Sequence, residues 1–211
     1  MTVECIIFDC DGTLVDSEIL CNLGLEIKLK ELGIQIDNPA TLYRFRGWKL
    51  ADIINTLSAE YSISLDEAFV ADYRQVVSNL FDTQLQPIPN VASALAKIPQ
   101  PKCVASNAPR SKIAQAVKVT HLESFFNNNL FSSYTIQAWK PKPDLFLYAA
   151  KIMGVSPKNC VVVEDSLLGI EAARSAGMRS FLYLGDRDIA LQDNVVVFDD
   201  MLQLPDLIAA C

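Results

Sequence analysis

The sequence has little clustered positive charge and no long apolar run. Its 211 residues carry a formal net charge of −7, and the 18 lysines and arginines are spread along the chain. We expect no nucleic-acid partner, because phosphate backbones are bound by clustered basic residues. No apolar segment approaches the roughly 20 residues that cross a bilayer, and the apolar run after Met1 is too short for a signal peptide. No membrane partner is expected, and the predicted location is cytoplasmic.

Cysteine pairs with zinc-binding spacing are also missing. The six cysteines stand at positions 5, 10, 21, 103, 160 and 211, and none forms a C-x-x-C pair. A structural zinc site is therefore not expected. Several cysteines fall within apolar runs, where cysteine behaves as a small apolar residue, which fits a reducing compartment. We expect a monomer, although the sequence leaves an oligomer open.

What the chain does contain is a series of short apolar runs rich in β-branched residues. These runs are Val3–Phe8, Lys102–Ala105, Asn159–Val163, Met178–Leu184 and Asn194–Phe198. Their continuous apolarity predicts strands that are covered on both faces, as in a parallel sheet. Helical patterns over Asp144–Met153 and Ile170–Ala176 lie between the later runs. This alternation predicts an α/β fold, a doubly wound, Rossmann-like parallel sheet.

The segment 15–87 departs from this alternation, because it has helix signals and no strand-like run. The signals are an apolar face at Leu20, Leu23 and Ile27 before Gly33, an Asn38-Pro39 helix start and a capping box at Ser64–Glu67. We predict a core domain formed by residues 1–14 and 88–211, with a helical cap domain of residues 15–87 inserted after the first strand.

Two acidic pairs follow predicted strands. Asp9 and Asp11 end the first run, and Glu164-Asp165 ends the run "CVVVED". Carboxylates this close repel each other unless a cation or a proton intervenes, and Mg2+ prefers oxygen ligands. Because ligands bind beyond the carboxyl ends of parallel strands, a metal shared between the two strand tips is favoured. Taken singly, an acidic turn or a helix N-terminal cap would explain each pair.

Polar residues at two further points complete the pattern. Ser106 and Asn107 end the run "KCVASN", and Lys140 lies in the proline-stiffened segment "WKPKPD". Hydroxyl and amide donors before a helix suit a phosphate or an oxyanion, and a lysine would neutralise charge between carboxylates and an anionic substrate. Alone, each residue fits a simpler interpretation, an N-cap for Ser106 and Asn107 and a solvated side chain for Lys140.

The order of these elements resembles the haloacid dehalogenase superfamily, whose motifs are D-x-D-G-T, a Ser or Thr, a Lys and a late acidic pair. The resemblance covers essentially the whole chain, including the helical cap. It implies that Asp9 is the nucleophile that forms an aspartyl-phosphate and that Asp11 is the general acid and base. It also implies that Ser106, Asn107 and Lys140 bind the transferring phosphoryl group.

The same resemblance implies a Mg2+ cofactor. Its ligands would be the Asp9 carboxylate, the main-chain carbonyl of Asp11 and the Asp165 carboxylate. Glu164 would act outside this ligand set, or through water.

Two residues separate the branches of this superfamily. Asp11 disfavours carbon–halogen cleavage, because the dehalogenases lack this second aspartate. Mutases of the β-phosphoglucomutase type carry a histidine early in the first cap helix, where Cys21 falls, and the single histidine here is His121. A phosphatase is therefore favoured. A phosphosugar mutase and a non-catalytic phosphosugar sensor remain the alternatives.

The segment "YRFRGWKL" at residues 43–50 bears on the substrate. Arg44, Arg46 and Lys49 concentrate positive charge in an acidic chain, and Gly47 permits a tight turn between two helical segments. Of these residues, Arg46 and Lys49 are predicted to approach the non-reacting end of the substrate. A basic helix end facing solvent would explain these residues equally well. As substrate-binding residues, they would suit a carboxylate on a small phosphorylated metabolite. The resemblance implies a sugar phosphate, and 6-phosphogluconate is the substrate that it favours.

Overall fold

The strands of the computed structural model form one parallel sheet. The model describes residues 2–36, 42, 44–45, 47–185 and 195–211. Within these residues the strands are β1 (Cys5–Phe8), β2 (Lys102–Ser106), β3 (Leu130–Ser132), β4 (Cys160–Glu164), β5 (Arg179–Tyr183) and β6 (Val196–Phe198). Their order across the six-stranded sheet is β3-β2-β1-β4-β5-β6, with parallel pairing throughout. The predicted doubly wound α/β fold is confirmed.

Helices connect the strands and cover the sheet. They are α1 (Glu18–Glu31), α2 (Leu50–Tyr61), α3 (Glu67–Gln84), α4 (Val91–Lys97), α5 (Arg110–Val119), α6 (Ser133–Ile136), α7 (Asp144–Met153), α8 (Leu167–Ser175) and α9 (Leu204–Ala209). The predicted bounds of α7 are confirmed, and Gly154 ends it with a positive φ of 72°. Helix α8 begins three residues before its predicted start, because Ser166 caps it by accepting a hydrogen bond from the Gly169 amide at 3.1 Å. Among the described residues, no helix is long and apolar enough to cross a membrane.

Side chains of β1 alternate between two apolar layers. Ile6 and Phe8 pack into one buried cluster, and Cys5 and Ile7 pack into the other on the opposite face. All four are fully buried, and burial of a side chain such as Phe8 stabilises the fold by about 1.5–3 kcal/mol. The continuous apolar run therefore marks a strand with no solvent-facing side, as its pattern predicted.

Strand β3 was not predicted from the sequence. It has only three residues, and it follows Asn127 and Asn128, which adopt positive φ values of 47° and 65°. A turn rich in asparagine is a signal for a loop, and so short an apolar stretch carries no readable periodicity. Its place in the sheet depends on pairing with β2, from Val104 opposite Leu130 onward.

Helices α1, α2 and α3 lie between β1 and α4, where the cap helices were predicted. The connecting segments run side by side: the Asp16 amide donates to the Gln86 carbonyl and the Ile88 amide donates to the Leu14 carbonyl, both at 2.9 Å. The chain thus leaves and re-enters the sheet region at one place. The helix start predicted at Asn38-Pro39 lies outside the described residues.

The predicted capping box at Ser64–Glu67 is wrong in its details. Helix α3 begins at Glu67, and its N-cap is Asp66, whose carboxylate accepts a hydrogen bond from the Phe69 amide at 2.9 Å. The spacing from Ser64 to Glu67 matches the pattern, but Asp66 has the extended backbone that an N-cap residue requires. Ser64 is an exposed residue before the helix.

Replacement of Asp66 by alanine is expected to lower the free energy of unfolding by about 0.5–2 kcal/mol, because the Phe69 amide loses its acceptor. Ser64→Ala is the matched control and is expected to have little effect. Urea unfolding followed by circular dichroism would measure both variants. A larger loss in Ser64→Ala than in Asp66→Ala would restore the capping box and contradict the observed cap.

Candidate active site

The two acidic pairs meet at the carboxyl ends of β1 and β4. These strands are neighbours in the sheet, and the Asp9 amide donates to the Val163 carbonyl at 2.9 Å. Asp9, Glu164 and Asp165 are buried, and one carboxylate oxygen from each lies within 4.8 Å of the others. Chain connections reverse direction between these two strands, which is where ligands bind in doubly wound folds.

Lys140 is the counter-charge of this carboxylate group. Its Nζ donates to Asp9 Oδ1 at 2.5 Å and to Glu164 Oε1 at 2.6 Å. The other oxygen of Glu164 accepts from the amides of Asp165 and Ser166 at 3.0 and 2.9 Å, and from the Ser166 hydroxyl at 2.8 Å. Both oxygens of Glu164 are therefore engaged, and this side chain fixes the Lys140 ammonium beside Asp9.

The electrostatics of these groups favour a bound cation. Burial raises the pKa of Asp9 well above its ordinary value, and repulsion from Glu164 and Asp165 adds to this effect although Lys140 opposes it. Attraction to Asp9 and Glu164 outweighs burial at Lys140 and raises its pKa. Three carboxylates against one ammonium leave an excess of negative charge. A hard divalent cation would balance it, and the all-oxygen donor set fits Mg2+.

Ser106 and Asn107 lie at the neighbouring tip of β2. Ser106 Oγ accepts from the Ala108 amide at 3.1 Å, and among the described residues its hydroxyl donates no hydrogen bond, so its proton is available to an anion. Asn107 Oδ1 accepts from the Ser133 hydroxyl at 2.7 Å and from the Lys140 amide at 3.0 Å. Asn107 therefore holds the loop that carries Lys140, and its predicted contact with substrate stays a prediction.

Asp11 is held by two residues that the sequence analysis did not identify. Its Oδ1 accepts from the Ser17 hydroxyl at 2.5 Å, and Lys112 Nζ lies 2.9 Å from the same oxygen. Burial acts to raise the pKa of Asp11, but the Lys112 ammonium and the Ser17 hydroxyl outweigh it and hold this pKa below its ordinary value. One sequence feature could have indicated Lys112. It lies in the first turn of the helix that follows Ser106, and the first turn of such a helix lies near the end of the strand before it.

A cavity of about 320 Å³ opens in front of these groups. Every predicted core-domain site residue lines it: Asp9, Asp11, Ser106, Asn107, Lys140, Glu164 and Asp165. Residues of the predicted cap, among them Cys21, Trp48, Tyr73 and Arg74, line the facing side. The volume lies at the small end of the range for ligand pockets and suits a small metabolite.

Lys49 is one of the two cationic residues predicted to bind substrate from the cap. Lys49 is not among the residues that line the cavity, and its Nζ lies 3.9 Å from the centre of the Trp139 ring. Arg46 lies outside the described residues, so a substrate-binding role for either residue stays a prediction. Arg74 of α3 does line the cavity, and it donates from Nη2 to the Tyr134 hydroxyl at 3.2 Å.

Gly47 brings the cap loop close to the strand tips. Its φ is +75°, and a Cβ added there would lie 3.1 Å from the Ser166 Cβ. Its carbonyl accepts a hydrogen bond from Asn107 Nδ2 at 3.3 Å. The positive φ of Gly47 fits the turn predicted there, and Gly47 packs against Ser166, whose hydroxyl donates to Glu164.

Comparison with known proteins agrees with this arrangement. The family model described as "haloacid dehalogenase-like hydrolase" matches residues 3–177. The chain belongs to the haloacid dehalogenase-like hydrolase family. It is 38% identical over 208 residues to 6-phosphogluconate phosphatase of Escherichia coli, with 97% of this chain and 94% of that protein covered. These findings confirm the family and the hydrolase class predicted from the strand-end residues.

Two further similar proteins extend the comparison. Fructose-1-phosphate phosphatase of Escherichia coli is 32% identical over 178 residues, which cover 82% of this chain and 92% of that protein. The crystal structure of a conserved haloacid dehalogenase-like protein of unknown function from Agrobacterium tumefaciens superposes with a TM-score of 0.82 at 32% identity. It covers 99% of this chain and 98% of that one.

Gly169→Ala is expected to disrupt the group of buried carboxylates around Lys140, because the added Cβ would fall 1.9 Å from Glu164 Cδ. Glu164 would have to move, and Lys140 would lose its second carboxylate. Addition of Mg2+ is expected to raise the melting temperature of the wild-type protein and to leave that of this variant unchanged.

Gly24→Ala is the matched control, since its Cβ would fall 2.7 Å from Val77 Cγ2 between α1 and α3. It is expected to destabilise the protein by about 1–3 kcal/mol through overpacking while keeping the Mg2+-induced shift. A normal Mg2+ response in Gly169→Ala would contradict the role given to Glu164.

Proposed function

We propose that this hydrolase is a Mg2+-dependent phosphatase of small phosphorylated metabolites, with 6-phosphogluconate as the first candidate substrate. The observation that carries the proposal is the buried Asp9 carboxylate at 2.5 Å from Lys140 Nζ, at the end of a cavity of about 320 Å³. The 38% identity to 6-phosphogluconate phosphatase over 97% of the chain supports the choice of substrate.

Three groups would hold the Mg2+ ion: the carboxylates of Asp9 and Asp165 and the main-chain carbonyl of Asp11. Glu164 lies outside this set, because its two oxygens are engaged by Lys140, Ser166 and the Asp165 amide. When bound, Mg2+ would screen the negative charges of Asp9 and the phosphoryl group from each other.

The residues around Asp9 suit it as the nucleophile. Lys140 and Ser106 present an ammonium and a hydroxyl proton for the phosphoryl oxygens, and fixed charge of this kind contributes most to phosphoryl transfer. An Asp9 oxygen attacks phosphorus, the bond from phosphorus to the substrate oxygen breaks, and an aspartyl-phosphate forms. The rigid tip of β1 aims the attacking carboxylate.

Asp11 would move the protons. It protonates the departing substrate oxygen and then accepts a proton from the water that attacks the aspartyl-phosphate, which regenerates Asp9. Its Oδ1 is held by the Ser17 hydroxyl and the Lys112 ammonium. Binding of a phosphate dianion beside Asp11 would favour its protonated form, as the first step requires.

Residues 15–87 would move as a cap over the core formed by 1–14 and 88–211. Several hydrogen bonds join the two parts in the observed arrangement. Gln115 Nε2 donates to the Ser78 carbonyl at 2.9 Å and to Asp82 Oδ1 at 2.7 Å, and Arg74 bonds to Tyr134. Closure of this kind would exclude water from the aspartyl-phosphate until the dephosphorylated alcohol has left the site.

Two observations favour hydrolysis over mutase chemistry. Cys21 lines the cavity where a mutase of this family would carry its histidine, and burial raises the pKa of the Cys21 thiol, which disfavours proton exchange. His121 is exposed at the end of α5 and does not line the cavity. A non-catalytic sensor is disfavoured because Asp9 and Asp11 are both present. A cytoplasmic location and a monomeric state stay predictions.

Asp9→Asn is expected to abolish Mg2+-dependent phosphate release, because an amide is a poor nucleophile and a weaker metal ligand. Phosphate release from 6-phosphogluconate would be measured by a colorimetric assay. Asp206→Asn is the control, since Asp206 is exposed on α9 and does not line the cavity. Phosphate release by Asp9→Asn at the wild-type rate would rule out the aspartyl-phosphate route.

Product analysis separates the candidate functions. The wild-type protein with Mg2+ is expected to release inorganic phosphate from 6-phosphogluconate faster than from fructose 1-phosphate or glucose 6-phosphate. Incubation with a hexose 1-phosphate that yields a hexose 6-phosphate would establish a mutase instead. Binding of sugar phosphates with no turnover of any of them would establish a sensor.

A further inference from the structure

Lys112 contacts both Asp11, the proposed proton-transfer residue of the core domain, and residues of the predicted cap. It is the third residue of α5, and its Nζ lies 2.9 Å from Asp11 Oδ1. The same Nζ lies 3.5 Å from the Cys21 Sγ of α1 and 5.3 Å from the centre of the Phe81 ring of α3. The ammonium, on a side chain that is 27% exposed, thus lies between a core carboxylate and residues of two helices of the predicted cap.

These contacts distinguish the two oxygens of Asp11. A carboxylate oxygen offers two lone-pair sites, and Oδ1 receives both the Ser17 hydroxyl and the Lys112 ammonium. Two donors from different directions fix the rotation of the carboxylate. Among the described residues no hydrogen bond to Asp11 Oδ2 is present, so this oxygen is the one that remains to exchange a proton with the substrate.

We propose that Lys112 is a positioning residue, which holds Asp11 so that Oδ2 faces the departing oxygen of the substrate. This inference rests on the phosphatase function proposed above. It goes beyond the strand-end residues of the family pattern, because Lys112 lies on helix α5 and contacts Asp11, whereas Lys140 contacts Asp9 and Glu164. Lys112 acts on proton transfer alone, whereas Lys140 acts on the phosphoryl group.

The proposal makes the effect of Lys112 depend on the leaving group. An alcohol such as that of 6-phosphogluconate needs a proton from Asp11 as it departs, whereas p-nitrophenolate departs without one. Water attack on the aspartyl-phosphate needs Asp11 as a base for either substrate. Loss of Lys112 therefore slows the first step only with the alcohol and slows the second step with both.

Lys112→Met tests this expectation, because methionine keeps an unbranched stem beside Phe81 and removes the ammonium. In single-turnover rapid mixing, formation of the aspartyl-phosphate from 6-phosphogluconate is expected to fall about 100-fold, while release of p-nitrophenolate changes by no more than about threefold. With p-nitrophenyl phosphate in excess, the variant is expected to show a burst of p-nitrophenolate followed by a slow steady state.

Two matched variants complete the test. Lys112→Arg keeps a positive donor and is expected to recover part of the rate with 6-phosphogluconate. Lys118→Met removes an exposed lysine of the same helix and is expected to leave both rates unchanged. Circular dichroism would establish that each variant is folded, and Lys112→Gln would replace Lys112→Met if the latter is not.

Three results would overturn the inference. Equal losses with both substrates in the first step would show that Lys112 serves only the fold or substrate binding. Unchanged rates in Lys112→Met would show that Asp11 needs no such support. If the wild-type protein releases phosphate from neither substrate, the proposed phosphatase function fails, and this inference fails with it.

Discussion

The contact of the Lys140 ammonium with Asp9 and Glu164 is the interaction on which the rest of the site depends. Three buried carboxylates crowd the tips of β1 and β4, and removal of such charges from water costs several kcal/mol per ion unless they are paired and hydrogen-bonded. Lys140 supplies the pairing charge. The ammonium opposes the rise in the pKa of Asp9 that burial and the neighbouring carboxylates cause, and so favours the ionised carboxylate.

Neighbouring residues are arranged around this contact. Asn107 accepts from the Lys140 amide and so fixes the loop, while Ser166 caps α8 and donates to Glu164. Gly169 leaves the space that the Glu164 carboxylate fills. The residue choices at these positions are therefore determined by the charged group, which lies at the end of an otherwise apolar sheet.

The sequence was sufficient to predict what lies at strand ends. Asp9, Ser106 and Glu164 each follow a continuous apolar run, and in a parallel sheet the ends of such runs meet at one edge. Strand β3 could not be predicted from hydrophobic periodicity, because a strand of three residues is too short to show any periodicity. The capping box failed for a similar local reason, since the backbone conformation at Asp66 decided the N-cap.

Residues that reach the site from helices were much harder to predict. Lys112 and Arg74 stand on α5 and α3 among other charged residues, and only the three-dimensional packing turns their side chains to the cavity. Lys49 was predicted from its charge as a substrate ligand, and this stays a prediction, since its ammonium lies over the Trp139 ring and Lys49 is not among the residues lining the cavity. Strand-end chemistry follows from topology, whereas the specificity of a cap depends on how its helices pack.

The two aspartates of the first motif differ because their surroundings differ. The intervening Cys10 is buried in the apolar core, so the chain passes through a rigid segment between them. Burial and neighbouring carboxylates raise the pKa of Asp9, whereas Lys112 and Ser17 lower the pKa of Asp11. These shifts are the reverse of what the proposed roles need, because a nucleophile must be ionised and a general acid must be protonated. A cation bound beside Asp9 would lower its pKa, and a phosphate dianion beside Asp11 would raise the pKa of that carboxyl. The proposed division of roles between two aspartates only two residues apart therefore depends on both ligands being bound.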